Sequence, residues 1–177
     1  MWKNGLINSI KDPNLQIISS EIAVVIKDKY PKAKYHFLVL PREDISSIFN
    51  LTREHLPILD ELRLLATNAI EISGEKEKHF NIGFHAIPSM TRLHLHVISR
   101  DFNSPCLKTK KHWNSFNTKL FLDYDDLYKE LKLKGTIQRI DLTLAKELEN
   151  TPLNCNQCNF VAKTVPNLKE HLLKHIE

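Results

Sequence analysis

The sequence predicts an α+β protein, an antiparallel sheet flanked by helices, with a small metal-held module at its C-terminal end. Three observations carry that expectation. Runs rich in β-branched and aromatic residues recur at 15–19, 22–27, 35–40, 79–85 and 89–99, and the alternation of apolar with polar side chains marks the last two as half-buried strands. One long stretch, 52–73, has helical periodicity. Finally, Cys155 and Cys158 are followed after twelve residues by His171 and His175, a spacing that suits tetrahedral zinc.

The totals bound the function classes. A chain of 177 residues, 42% hydrophobic and 26% charged, holds one core plus a small module and excludes disorder over most of its length. A net charge of +4 permits a polyanionic partner without requiring one. Three cysteines do not make a disulfide framework, so a reducing compartment is expected. No segment approaches the ~20 apolar residues of a membrane span, and nothing after Met1 resembles a secretory signal. A soluble intracellular protein without a membrane partner is the expectation.

Taken in order, residues 2–10 place Trp2, Leu6, Ile7 and Ile10 at the spacing of a short amphipathic helix, which Pro13 ends. Trp2 at its outer end either packs on its own domain or stacks on a base. Two strand runs follow, then a loop, 28–34, carrying Asp28, Lys29, Lys32 and Lys34, and a strand carrying His36. The stretch 52–73 aligns Leu56, Leu59, Leu62, Leu65, Ala66, Ala69 and Ile70 in one stripe, with Thr52 as N-cap and Gly74 as stop. This is the main core helix. The charged residues 75–78 read as a solvated turn before the strand at 79–85.

Residues 89–99 read as one strand in which Leu93, Leu95 and Val97 alternate with Arg92, His94 and His96. Side chains two apart on a strand share a face, about 6.5–7 Å apart, so both imidazoles reach one pocket. By itself the pair fits a plain exposed face, a metal pair or catalysis. The loop before it, in a hairpin-like unit with the strand at 79–85, brings Ser89 near the imidazoles. Residues 102–122 contain no acidic residue and interleave Lys108, Lys110, Lys111 and Lys119 with Trp113 and Phe116. This is either a phosphate-following surface or a solvated loop with two aromatics tucked inward. A short helix at 123–132 precedes a connector. The division expected is a catalytic domain at 1–134, a connector at 135–150 and the metal module at 151–177.

In that module Pro166 opens a helix bearing both histidines, and Leu168 fills its small core. Ala162 stands where the usual aromatic would be, with Phe160 nearby as substitute. A piece this small needs its metal to fold. The complete set of four ligands here draws the metal reading away from His94 and His96. Lys163, Lys169 and Lys174 make a backbone-contacting role on nucleic acid plausible.

The run from His85-Ala86-Ile87-Pro88-Ser89-Met90 through His94-Leu95-His96-Val97-Ile98-Ser99 resembles the histidine-triad nucleotide hydrolase and transferase superfamily. With Tyr30-Pro31-Lys32-Ala33, residues 110–117 and the Cys2His2 module, it resembles the branch that hydrolyses DNA 5'-adenylates. The resemblance implies a histidine-triad fold and removal of AMP from 5'-adenylated ends left by abortive ligation. It implies His94 as nucleophile through a histidyl-AMP intermediate, with His96, Ser89 and His36 as its catalytic company. Asp28, Lys32, Ser89 and His85 would bind AMP. Trp2 would be a wedge at the break, and Lys108, Lys110, Lys111, Trp113 and Lys169 would contact DNA with nicks or adenylated ends. Zinc would be structural, held by Cys155, Cys158, His171 and His175, with no metal required at the catalytic pocket.

One departure is plain. The superfamily pattern has three histidines at spacing two, and the first is Arg92 here; an arginine there either orients the pocket or contacts phosphate. No phosphopeptide-binding domain is expected, and a nuclear location follows from the implied substrate alone. Two rivals stand beside this reading: a general hydrolase of small adenylates, and a DNA-binding adaptor with an inactive pocket.

Overall fold

The computed structural model describes residues 5–176; Trp2, the expected wedge, lies outside them. Six strands form one antiparallel sheet in the order β1-β2-β3-β5-β4-β6. They are β1 (Gln16–Ser19), β2 (Ala23–Lys27), β3 (His36–Pro41), β4 (Phe80–His85), β5 (Leu95–Ser99) and β6 (Phe121–Asp123). The central strand β5 pairs with β3 on one side and β4 on the other, so that His96 stands between Leu38 and Gly83.

Alternation sorts the side chains of the inner strands onto two faces. Phe37, Val39, Leu95 and Val97 pack into the main core against α2 (Leu56–Ser73). The expected stripe is buried there from Leu59 to Ile70, and only Leu56 is part-exposed. The helix begins later than its sequence signals imply. Thr52 caps a short 3-10 turn, Arg53–His55, and α2 proper opens at Leu56 with Pro57 in its first turn. Gly74 ends it with φ 76°, the left-handed stop expected.

The opposite face carries His36 and His96 between two flanking layers. On one side α1 (Gly5–Lys11) seats Leu6 and Ile10 on Val24, Ile26, Leu38 and Leu40. On the other, Ile98 joins a second core that runs through Phe102, Trp113 and Phe116 into Leu153, Ala162, Leu168 and Leu172. The C-terminal module therefore shares its apolar interior with the sheet. Polar contacts reinforce the seam: Asn156 and Arg100 bond each other's main chain, and Lys169 Nζ donates to the Ser104 carbonyl at 2.8 Å.

Three sequence expectations change. The stretch 89–99 is strand only from Leu95. Arg92 has φ 111°, and the Arg92 and Leu93 amides bond the Ser46 and Ile45 carbonyls, which draws the chain onto the segment after β3 before it enters the ladder. Residues 102–122 hold α3 (Lys110–Asn117), capped by the Thr109 hydroxyl, and β6. The connector holds α5 (Leu142–Glu149), whose first amides bond the Asp141 carboxylate. The short helix after β6 is α4 (Tyr124–Lys134), with Asp123 as N-cap and Gly135 as stop. No helix among the described residues is long and apolar enough to cross a membrane.

Candidate active site and finger

A cleft of about 660 Å³ opens on the His36–His96 face of the sheet. Asp28, Lys32, His36, His85, Ser89, His94 and His96 all line it, so the residues expected to hold a nucleotide and react with it meet in one place. The 28–34 loop supplies one wall, the loop after β4 a second, and α3 with Glu149 of α5 a third.

Hydrogen bonds decide which nitrogen of each imidazole carries its proton. The Lys32 amide donates to His36 Nδ1 at 3.2 Å, which leaves hydrogen on His36 Nε2. That nitrogen lies 2.9 Å from His96 Nδ1, which must accept. His96 Nε2 then carries hydrogen and has no partner among the described residues, a buried donor left for a ligand. His94 is set the other way. Its Nδ1 is 2.7 Å from the Arg92 carbonyl, which can only accept, so the proton sits on Nδ1 and the lone pair on Nε2.

Burial keeps these rings neutral. It pushes His36 down to about 4, with Lys32 adding to the effect and Asp28 opposing it. Asp28 Oδ2 is 3.6 Å from His36 Nδ1, yet a ring with that pKa is uncharged at neutral pH, so the contact is not an ion pair. Burial lowers His85 to about 3, and it lowers His94 and sends His96 well below the usual histidine range. Phe116 stands edge-on to His36 and His96 and closes the floor. The site offers one neutral nucleophile, one aimed donor and an apolar floor, which is what displacement at a phosphorus needs.

Of the third wall the sequence offered Lys111, which lines the cleft, but not two of its neighbours. His112, whose Nδ1 accepts from the Lys108 amide, and Glu149, 2.8 Å from Lys111 Nζ, both line the cleft. The signal lay in Thr109, Trp113 and Phe116, whose cap and spacing define a helix with an inward face.

One expected DNA contact is corrected. Trp113 is buried, with Nε1 donating to the Asn154 carbonyl, because its ring fills the core that joins sheet and module. Lys169 is half-buried, and its ammonium donates to the Ser104 carbonyl. Lys108 and Lys111 are exposed and Lys110 is half-buried. Arg92 does not line the cleft; its guanidinium turns to Asp44 and the carbonyls of residues 41–43, so it is not a phosphate contact.

In the C-terminal module, β7 (Leu153–Asn154) and β8 (Val161–Ala162) face α6 (Val165–Leu172). Cys155, Cys158, His171 and His175 bring one donor atom each within 4.8 Å of one another. Cys158 Sγ and His171 Nε2 are 3.2 Å apart, Cys155 Sγ and His175 Nε2 3.5 Å, and the two histidine nitrogens 3.2 Å. A tetrahedron with bonds of 2.0–2.3 Å has edges of about 3.3–3.8 Å, so the donor set fits Zn2+. Leu168 fills the small core and Phe160 stacks on His171, 3.9 Å between centroids. His175 lies in a 3-10 turn, Leu173–His175, that continues α6.

The model of a family described as "Scavenger mRNA decapping enzyme C-term binding" matches residues 1–112, and that of the "C2HE / C2H2 / C2HC zinc-binding finger" matches residues 117–177. An aprataxin-like protein of Saccharomyces cerevisiae is 31% identical over 97% of this chain and 94% of its own length. The chain belongs to the aprataxin family. An aprataxin-like protein of Drosophila melanogaster is 57% identical over 99% of the chain, and the aprataxin of Gallus gallus is 50% identical over 98%. The chain spans 27% of the fly protein and 55% of the chicken protein. Among solved structures, the aprataxin ortholog Hnt3 in complex with DNA superposes with a TM-score of 0.81 at 25% identity, covering 99% of this chain and 94% of that one. In this aprataxin-family chain the finger is thus fused to a six-stranded antiparallel sheet.

Proposed function

We propose that this chain is a DNA 5'-adenylate hydrolase. The observation that carries the reading is the opposed pair His94 and His96, one with its lone pair free on Nε2 and the other with a partnerless Nε2–H, on one cleft. Resemblance to a solved aprataxin ortholog in complex with DNA supports the choice of substrate.

His94 Nε2 attacks the α-phosphorus of the adenylate and forms an N–P bond. The P–O bond to the DNA phosphate breaks, and DNA leaves with its 5'-phosphate, a good leaving group. Nδ1–H keeps its bond to the Arg92 carbonyl, so the positive charge gained by the ring is stabilised in place. Charge on the equatorial oxygens is met by His96 Nε2–H, which His36 orients, with Ser89 and Lys32 at the cleft wall. Water then attacks the phosphorus, the N–P bond breaks, and AMP is released. Asp28 suits the ribose hydroxyls, and His85 lies beside the same pocket. Lys108, Lys110 and Lys111 would follow the DNA backbone and Trp2 would wedge the break. The catalytic unit is 1–134, joined through 135–150 to a finger at 151–177 whose four ligands would hold Zn2+ as a structural ion. Nuclear action follows from the substrate.

The test measures AMP release from 5'-adenylated nicked DNA and from a small adenylate. We expect turnover on the nicked DNA and its abolition by His94→Ala. Equal turnover on both substrates would favour the small-adenylate hydrolase, and turnover on neither would favour a DNA-binding adaptor.

A further inference from the structure

Arg92 stands where the triad pattern has its first histidine, and its side chain is buried against a segment that takes no part in the cleft. Nη2 donates to the carbonyls of Pro41, Arg42 and Glu43 at 3.0, 2.8 and 3.1 Å, and Nη1 lies 2.9 Å from Asp44 Oδ1. Its main chain is equally constrained. With φ 111° it occupies a region that L-residues rarely adopt. The Arg92 amide donates to Ser46 at 2.9 Å and the Leu93 amide to Ile45 at 2.7 Å. The Arg92 carbonyl is thereby presented to His94 Nδ1 at 2.7 Å.

We infer that Arg92 is a positioning residue: its guanidinium anchors a strained turn to the 41–44 segment, and that turn holds the carbonyl which fixes the His94 tautomer. The inference rests on the reading of His94 as nucleophile. A strained φ persists only where the surroundings over-determine it, and the guanidinium supplies the largest share of those bonds. Released from its anchor, the backbone at 92 relaxes toward negative φ and the peptide plane rotates. The carbonyl then leaves His94. Without an obligate acceptor at Nδ1, the ring also populates the tautomer with hydrogen on Nε2, the nitrogen that must attack. A neutral histidine at this position has a single donor, whereas guanidinium has five in a fixed fork. Arginine at position 92 thus does through its side chain what a lone imidazole cannot, bridging several carbonyls of a distant turn.

The test uses the full chain with its finger metal and two readouts, turnover of 5'-adenylated nicked DNA and the ¹⁵N-resolved tautomer of the His94 ring. For Arg92→Ala we expect kcat to fall about 100-fold with KM within about twofold, the scale of a misplacement near 1 Å. His94 should then show a mixture of tautomers where the parent chain shows Nδ1–H alone. Arg92→Lys should recover much of kcat, since the ammonium reaches the same carbonyls. Asp44→Ala, which removes only the exposed end of the anchor, should leave kcat within about twofold. A folded Arg92→Ala chain with parental kcat, or with His94 still purely Nδ1–H, overturns the inference. Should that variant fail to fold, Arg92→Met, which keeps a long side chain and a Cβ at φ 111° but has no donor for the carbonyls, is held to the same two criteria. If the parent chain turns over no adenylate, the deadenylase reading fails, and the tautomer comparison still decides the role of Arg92.

Discussion

His36 Nε2 lies 2.9 Å from His96 Nδ1, and the direction of that bond is imposed from outside the pair by the Lys32 amide at His36 Nδ1. The 28–34 loop therefore sets the donor that faces the cleft. Removing His96 itself, as His96→Ala, should cost about 10²–10³ in kcat, the usual loss for one aimed donor. His36→Ala should cost less, because His96 stays but can rotate or change tautomer. His36→Gln, whose amide nitrogen reproduces the Nε2 donor, should fall between His36→Ala and the parent. Steady-state AMP release gives the order, and a His36→Gln chain no better than His36→Ala would contradict the donor role.

Acid should unfold this protein sooner than its carboxylates require. Burial lowers His36 to about 4 and His85 to about 3 from the ordinary 6.5, and His94 and His96 fall with them. Between about 6.5 and 4 the unfolded chain binds protons that the folded chain excludes, so stability drops as pH falls through that window. Within that window His36 and His85 each contribute about 1.4 kcal/mol per pH unit. Urea unfolding at pH 7 and pH 5 measures the difference, and His36→Gln should reduce it. A pH-independent midpoint would mean that the rings are protonated in the folded state.

Metal removal should reach the cleft. The finger's Leu153, Leu168 and Leu172 pack in one apolar cluster with Trp113 and Phe116, and Phe116 floors the cleft. Loss of the ion would release a module that holds little core of its own. Chelation or Cys155→Ser should lower Tm by roughly 10 °C, if about 3 kcal/mol is lost at 2–4 °C each. Turnover of a small adenylate that touches no DNA surface should fall as well. Scanning calorimetry with the small-substrate assay checks both, and unchanged small-substrate turnover would confine the finger to DNA contact.

Periodicity made the inner strands, α2 and the finger legible because each carries its own signal: alternation, an i, i+3, i+4 stripe, or a ligand spacing. It misplaced Trp113, since a basic segment with aromatics reads alike whether the rings face DNA or a neighbouring module. Whether Trp113 is covered depends on Leu153 and Asn154, some forty residues away, and no local pattern encodes that. The strand at 89–99 was shortened for a similar reason. Alternation assigned the faces of His94 and His96 correctly, but the turn at Arg92 depends on carbonyls at positions 41–46. The tautomers were out of reach, being set by main-chain groups whose neighbours only the fold decides.

Gly83 supplies a last prediction, for the edge of the sheet beside the site. It pairs with His96 on one side and Asp123 on the other. A Cβ there would stand 2.2 Å from the Leu122 carbonyl oxygen and 2.8 Å from Phe121. The carbonyl is backbone and cannot swing aside, so β6 must move outward and carry with it Phe121, whose ring packs on His85 and Phe116. Gly83→Ala should therefore cost about 1–3 kcal/mol, the range for overpacking, and weaken binding of AMP. Chemical denaturation gives the first and calorimetric titration with AMP the second. A variant of parental stability would show that β6 parts from β4 freely, and the wall of the cleft would then be softer than its packing implies.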